Sequence, residues 1–149
     1  MNKLVAQTMA KKENGEKGFT LIELLVVVII IGILAAIAIP IFLNMRQGAW
    51  KSSVESDVTN AVSVVEQATT ANNGTTSGLT FAGGVKGANF TITPTKGTAQ
   101  TGTVSPGNTV AVALSTTTAN TYTITGSNEN VTETYTYDSA TGKGKWSNQ

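Results

Sequence analysis

Lys17-Gly18-Phe19-Thr20-Leu21-Ile22-Glu23-Leu24 sets a basic residue, a glycine and a single carboxylate at the head of a run that then carries no charge from 24 to 43. At about 1.5 Å rise per residue such a run spans roughly 30 Å, the hydrocarbon thickness of a bilayer. The segment therefore reads as a membrane-crossing helix. An intramembrane carboxylate costs about 2.5 to 3.5 kcal/mol on insertion scales. Glu23, however, sits at the helix start, where the helix dipole favours negative charge and headgroups lie within reach.

On either side of this run the chain changes character. Residues 1–18 hold Lys3, Lys11, Lys12 and Lys17 against Glu13 and Glu16, a charge of +2, while the remainder carries six bases against seven acids, −1. The lysine excess ahead of the span, with only Arg46 and Lys51 soon behind it, predicts a cytoplasmic N terminus and an exported C-terminal part. The near-neutral remainder offers no broad cationic face for nucleic acid. With 149 residues, about a hundred are left for one small globular domain.

The chain has no cysteine and no histidine. Disulfides, thiolate metal sites and thiol nucleophiles are excluded, as are the commonest general base and the commonest zinc ligand. Serines and threonines abound, but none has a histidine to activate it, and no Gly-x-Ser-x-Gly or phosphate-binding loop occurs. Neither catalysis nor a cofactor is expected. The hydroxyl-rich composition suits β-propensity and solubility as well as O-linked glycan attachment.

Behind the span, Val54, Val58, Ala61, Val62, Val65 and Ala68 recur at helical spacing, with Glu55, Asp57, Asn60 and Glu66 between them. This pattern predicts an amphipathic helix continuing from the apolar one and ending at Asn72-Asn73-Gly74, residues suited to a left-handed cap. One helix over about 19–72 would measure roughly 80 Å. From there the composition turns Thr-rich, and strands are expected at 89–93, 109–115, 120–125, 131–137 and 143–146, with hairpin loops at 126–130 and 138–142. Alternation in Tyr122-Thr123-Ile124-Thr125 and in 131–137 predicts an antiparallel sheet with one face buried against the valine stripe. The expected fold class is α+β: a long N-terminal helix, apolar in its first half and amphipathic in its second, packed against one small antiparallel sheet.

The run from Lys17 to Leu24, followed by an apolar helix with Gly32 and Pro40, closely resembles the type IV pilins and the related pseudopilins. The match is strong over 17 to about 45 and architectural beyond. The resemblance implies that residues 1–18 are a leader removed by a prepilin peptidase between Gly18 and Phe19, with N-methylation of Phe19. It further implies that 19–44 forms the membrane and filament-core helix, 45–73 the amphipathic helix of the globular domain, and 74–149 its β part. Glu23 would correspond to the glutamate the family needs for assembly. Its carboxylate is suited to meet the α-amine of Phe19 from a neighbouring copy, since each charge would otherwise be buried alone. The implied partners are further copies of the chain in a helical homopolymer, the membrane before assembly, the peptidase, and a pilus assembly platform with its ATPase. The implied place is the membrane as a single-pass precursor, then the cell surface as a major pilin serving adhesion, motility or DNA uptake.

Gly32 and Pro40 weaken the helix, because proline removes the hydrogen bond to the carbonyl of Ala36; residues 32–40 are where it is expected to bend or melt. The missing cysteines depart from the disulfide-closed loop of many Gram-negative pilins and favour a Gram-positive source. Competing readings are a pseudopilin of a secretion or competence system and a monomeric binding module on an uncleaved anchor. A third is an ordinary signal peptide cut after Ala36-Ile37-Ala38 to leave Ile39 first. The acids and length of the leading segment and the crowding by Pro40 oppose that cut. Lys143-Gly144-Lys145-Trp146 has the makings of a base-stacking nucleic-acid contact, but an edge strand protected by lysines accounts for it more simply. Asn128, Glu129, Asn130, Glu133 and Asp138 offer oxygen ligands at no EF-hand spacing and are expected to be a solvated loop rather than a metal site.

Overall fold

The computed structural model describes residues 18–148. All but the last residue of the expected leader lies outside the described residues. The chain divides between Phe42 and Leu43 into two compact units. A single helix, α1 (Leu21–Ala71), carries the chain from one into the other. It continues unbroken through Gly32 and Pro40.

In the first unit α1 is apolar all round, and none of its most hydropathic window is buried. In the second unit the helix becomes one-sided. Val54, Val58, Ala61, Val64, Val65 and Ala68 are buried, as i, i+3, i+4 and i+7 spacing dictates. The helix ends where Asn73 and Gly74 adopt φ of 59° and 76°, and the Gly74 N–H returns to the Thr69 carbonyl at 2.8 Å. That is the 6→1 bond of a Schellman stop, which glycine makes without steric cost. Buried Asn72 then gathers the loops around it. Its side-chain amide donates to the Thr75 and Ser77 carbonyls, and its oxygen accepts from the Lys96 N–H.

Seven strands follow: β1 (Thr80–Gly83), β2 (Phe90–Thr93), β3 (Gln100–Gly102), β4 (Asn108–Leu114), β5 (Tyr122–Asn128), β6 (Tyr135–Asp138) and β7 (Lys143–Trp146). They form two antiparallel sheets, β1-β2-β3 and β4-β5-β6-β7, rather than the one expected. The division follows from the connection between β1 and β2, which lies along the edge of β4. There Val110 N–H donates to the Gly84 carbonyl at 2.7 Å and Gly87 N–H to the Asn108 carbonyl at 2.8 Å. A loop thus covers the polar edge that a further strand would otherwise pair.

Strand boundaries differ by one or two residues elsewhere and by more at two places. Residues 126–128, expected as a hairpin loop, continue β5 in register with β4, Val110 facing Gly126 and Asn108 facing Asn128. Gly126 is there for close packing: a Cβ on it would meet Val58 Cγ2 at 2.6 Å and Val54 Cγ1 at 2.7 Å. Residues 131–134, expected as strand, instead turn, with Val131 N–H donating to the Asn128 carbonyl at 3.0 Å; pairing resumes at Tyr135. The core gathers the valine stripe, Leu79, Phe90, Ile92, Val104, Val110, Tyr122, Ile124 and Trp146.

Candidate functional site

Thr20 precedes the first turn of α1 and Glu23 lies three residues on, the Thr-x-x-Glu spacing of a capping box. The two side chains satisfy each other's backbone. Thr20 N–H and Thr20 Oγ1 donate to Glu23 Oε2 at 3.0 and 2.8 Å, and Glu23 N–H donates to Thr20 Oγ1 at 3.3 Å. Leu24 N–H then closes the first helical bond to the Thr20 carbonyl at 3.2 Å. The helix start is thereby fixed by local chemistry alone, with the carboxylate held beside the backbone donors of the first turn. The sequence reading missed this capping role of Thr20, although the spacing was there to be read.

Phe19 stands 89% exposed immediately before this cap. With Ile22, Glu23, Val26 and Val27 it frames an open hollow of about 350 Å³, apolar but for the carboxylate. A carboxylate so placed accepts hydrogen bonds only, so the groups it suits are cations and N–H donors. Gly18 and Gly32 have open surroundings: a Cβ at either would meet nothing within 4 Å. Among the described residues, nothing packed calls for glycine at these two places.

The other constellations take ordinary roles. Trp146 is buried, donates from Nε1 to Glu55 Oε1 at 2.7 Å, and packs against Tyr135 with ring centroids 5.3 Å apart. Lys51 Nζ lies 5.1 Å from the centroid of that indole and pairs with Glu133 at 3.0 Å. Trp146 therefore faces the helix, not a base. The oxygen-rich loop is dispersed likewise. Asn128 is buried and donates to Asn108 Oδ1 at 2.6 Å, Glu133 belongs to Lys51, and Asp138 Oδ1 accepts from Ala140 N–H at 2.9 Å. Among the described residues no three acidic side chains gather as a metal site.

A second polar cluster was not foreseen. Asp57, on the buried side of α1, accepts from Ser105 N–H at 2.8 Å, Ser105 Oγ at 2.9 Å and Asn108 Nδ2 at 2.7 Å. Both of its oxygens thus find donors, as burial requires. Its partners lie 48 and 51 residues away in sequence, so no local pattern announces them.

Comparison with known proteins singles out the same end of the chain. The model of the prokaryotic N-terminal methylation motif matches residues 14–39. The chain is similar to the type IV narrow pilus major component PilA5 of Thermus thermophilus, 52% identical over 40 residues, which are 27% of this chain and 34% of that protein. It is similar to the type IV major alpha-pilin of Moraxella bovis, 42% identical over 55 residues, 37% and 35% of the two chains. Fimbrial protein Q of Moraxella bovis matches further, 36% identical over 95 residues, 64% of this chain and 59% of that one. The first of these matches span only about a third of the relatives' own length. No solved structure matches. Motif and relatives together show a chain similar to the type IV pilins over its N-terminal methylation motif and the long helix behind it.

Proposed function

We propose that the chain is a structural subunit, the major pilin, of an extracellular type IV pilus. It is held in the membrane by α1, cut by a prepilin peptidase between Gly18 and Phe19, methylated at the new N terminus, and polymerised through that helix by an assembly platform and its ATPase. The observation that carries the reading is the exposure of α1. Among the described residues every exposed large apolar side chain, Val85 apart, lies between Phe19 and Met45. A patch of that size is not tolerated in water. Lipid covers it first, and like helices cover it afterwards.

Each motif residue then has a task. Gly18, unconstrained by packing, supplies the small residue a peptidase must accommodate. Cleavage creates an α-amine on Phe19, and Glu23 of a neighbouring copy is its counter-charge, setting subunit register as heterologous contacts extend into a filament. Gly32 and Pro40 mark where α1 yields as subunits pack. The basic leader orients the precursor with its N terminus in the cytoplasm. The test is sequencing the N terminus of subunits from purified surface filaments. Methylated Phe19 is the expected result, and Ile39 there, or filaments without this subunit, would overturn the reading.

A further inference from the structure

Immediately behind the uncharged run, Arg46 and Trp50 stand one helical turn apart, and the guanidinium Cζ of Arg46 lies 4.8 Å from the indole centroid. Arg46 is exposed and Trp50 half-buried. Arg46 is also the first cation after the span. We infer that the two form an interfacial lipid site, with Arg46 on a phospholipid phosphate and Trp50 in the headgroup layer, fixing how deep the stored chain sits. This inference rests on the reading of α1 as a membrane-held helix.

The dimensions agree. A bilayer of about 30 Å hydrocarbon measures 40 to 45 Å with its headgroups, leaving about 5 to 8 Å of polar layer on each side. With Leu43 at the hydrocarbon edge, the Cα of Arg46 lies about 4.5 Å beyond it at helical rise, inside that layer. The Cα of Trp50 lies about 10 Å beyond, but helical side chains lean toward the N terminus, so its ring returns by a turn. The 4.8 Å contact with Arg46 is that return seen directly. Indole is the side chain that membrane interfaces favour, and guanidinium binds phosphate through two parallel N–H bonds.

Of the two cations that follow the span, Arg46 lies nearer the hydrocarbon edge, and Lys51, more than a turn further on, reaches back to Glu133 and the Trp146 ring. The headgroup layer is therefore the depth that Arg46 occupies in the stored chain.

The test reads Trp50 by depth. The full chain is reconstituted in phosphatidylcholine–phosphatidylglycerol vesicles brominated at either shallow or deep acyl positions, and the Trp50→Phe chain is subtracted to remove Trp146, the one other tryptophan. Expected is quenching of the difference signal at least about twofold stronger from shallow than from deep bromines, weakened by Arg46→Glu and kept by Arg46→Lys. A chain that floats with vesicles while Trp50 is unquenched, or quenched equally in Arg46→Glu, overturns the lipid site and leaves the membrane reading standing. Loss of filament yield in Arg46→Glu with Trp50 depth unchanged also overturns it, in favour of a contact between copies. A chain that does not float overturns both.

Discussion

Glu23 has two employments that a substitution can separate. In the single chain it completes the capping box with Thr20, and in a filament it is proposed to meet the α-amine of Phe19 from another copy. Glutamine retains an oxygen for the cap but carries no charge. Glu23→Gln is therefore expected to keep the helix start, read by amide exchange at 23 and 24, yet to lose filament yield by an order of magnitude or more. Normal yield from Glu23→Gln would remove the charge pair from the mechanism. Thr20→Val tests the other half: losing the cap costs about 1 kcal/mol and frays the first turn. Within the second unit, burial and then the hydrogen bond to Glu66 push the Tyr122 hydroxyl above its ordinary value of 10.0. The folded form thus binds a proton that the unfolded form releases above pH 10.0. Stability is full below that pH and falls as pH rises through it. The thermal midpoint should drop steeply in that range, and Tyr122→Phe should flatten the drop.

At the scale of elements, the last strand is held to α1 by one residue more than by any other. Trp146 in β7 is 5% exposed, stacks on Tyr135 and donates to Glu55. Trp146→Ala should destabilise the fold by about 3 to 5 kcal/mol in denaturant titration. The Lys51–Glu133 pair that flanks it is more exposed and acts through pH. The hydrogen bond from Lys51, foremost, holds the Glu133 carboxyl below its ordinary 4.5. Its contribution is present above that value and is lost as pH falls through the lowered one. Glu133→Gln should therefore lower the melting temperature at neutral pH and cease to matter in acid. How legible these elements were depends on how local their causes are. The amphipathic half of α1, its Asn-Gly stop and β7 declare themselves by periodicity and cap chemistry. β1 and β3 do not, because Thr80–Gly83 and Gln100–Gly102 are short, contain glycine and lack an alternating apolar face. Gly126 misled because a glycine beside Ser-Asn reads as a turn, whereas its reason is the pair of valines pressed against it from α1. Of the candidate site, Gly18, Phe19 and Glu23 were visible in the motif. The placement of Asp57 among Ser105 and Asn108 was not, since contacts across some fifty residues leave no periodic trace.

At the scale of the whole molecule, the division between Phe42 and Leu43 separates two solutions to the hydrophobic effect. The second unit buries its own apolar side chains: every core residue lies at Val54 or beyond, and among the described residues beyond Met45 Val85 alone is a large exposed hydrophobic. The first buries almost none. Stability therefore resides in the second unit, while the need for company resides in the first. A chain starting at residue 44 keeps the entire core, the Asp57 cluster and the Trp146 clamp. It is expected to be a soluble monomer by light scattering and to unfold in one cooperative step, since a single core of this size has no part able to melt alone. It should also fail to enter filaments when mixed with the full-length subunit. The longer chain should need detergent or lipid at every concentration, because the side chains at 19–45 have nothing else to cover them. Aggregation of the shortened chain, or loss of its cooperative transition, would mean that the apolar half of α1 supports the fold as well as the polymer. Incorporation into filaments despite the missing segment would mean that the copies associate through their β-sheets, and the role assigned to Glu23 and Phe19 would fall with it.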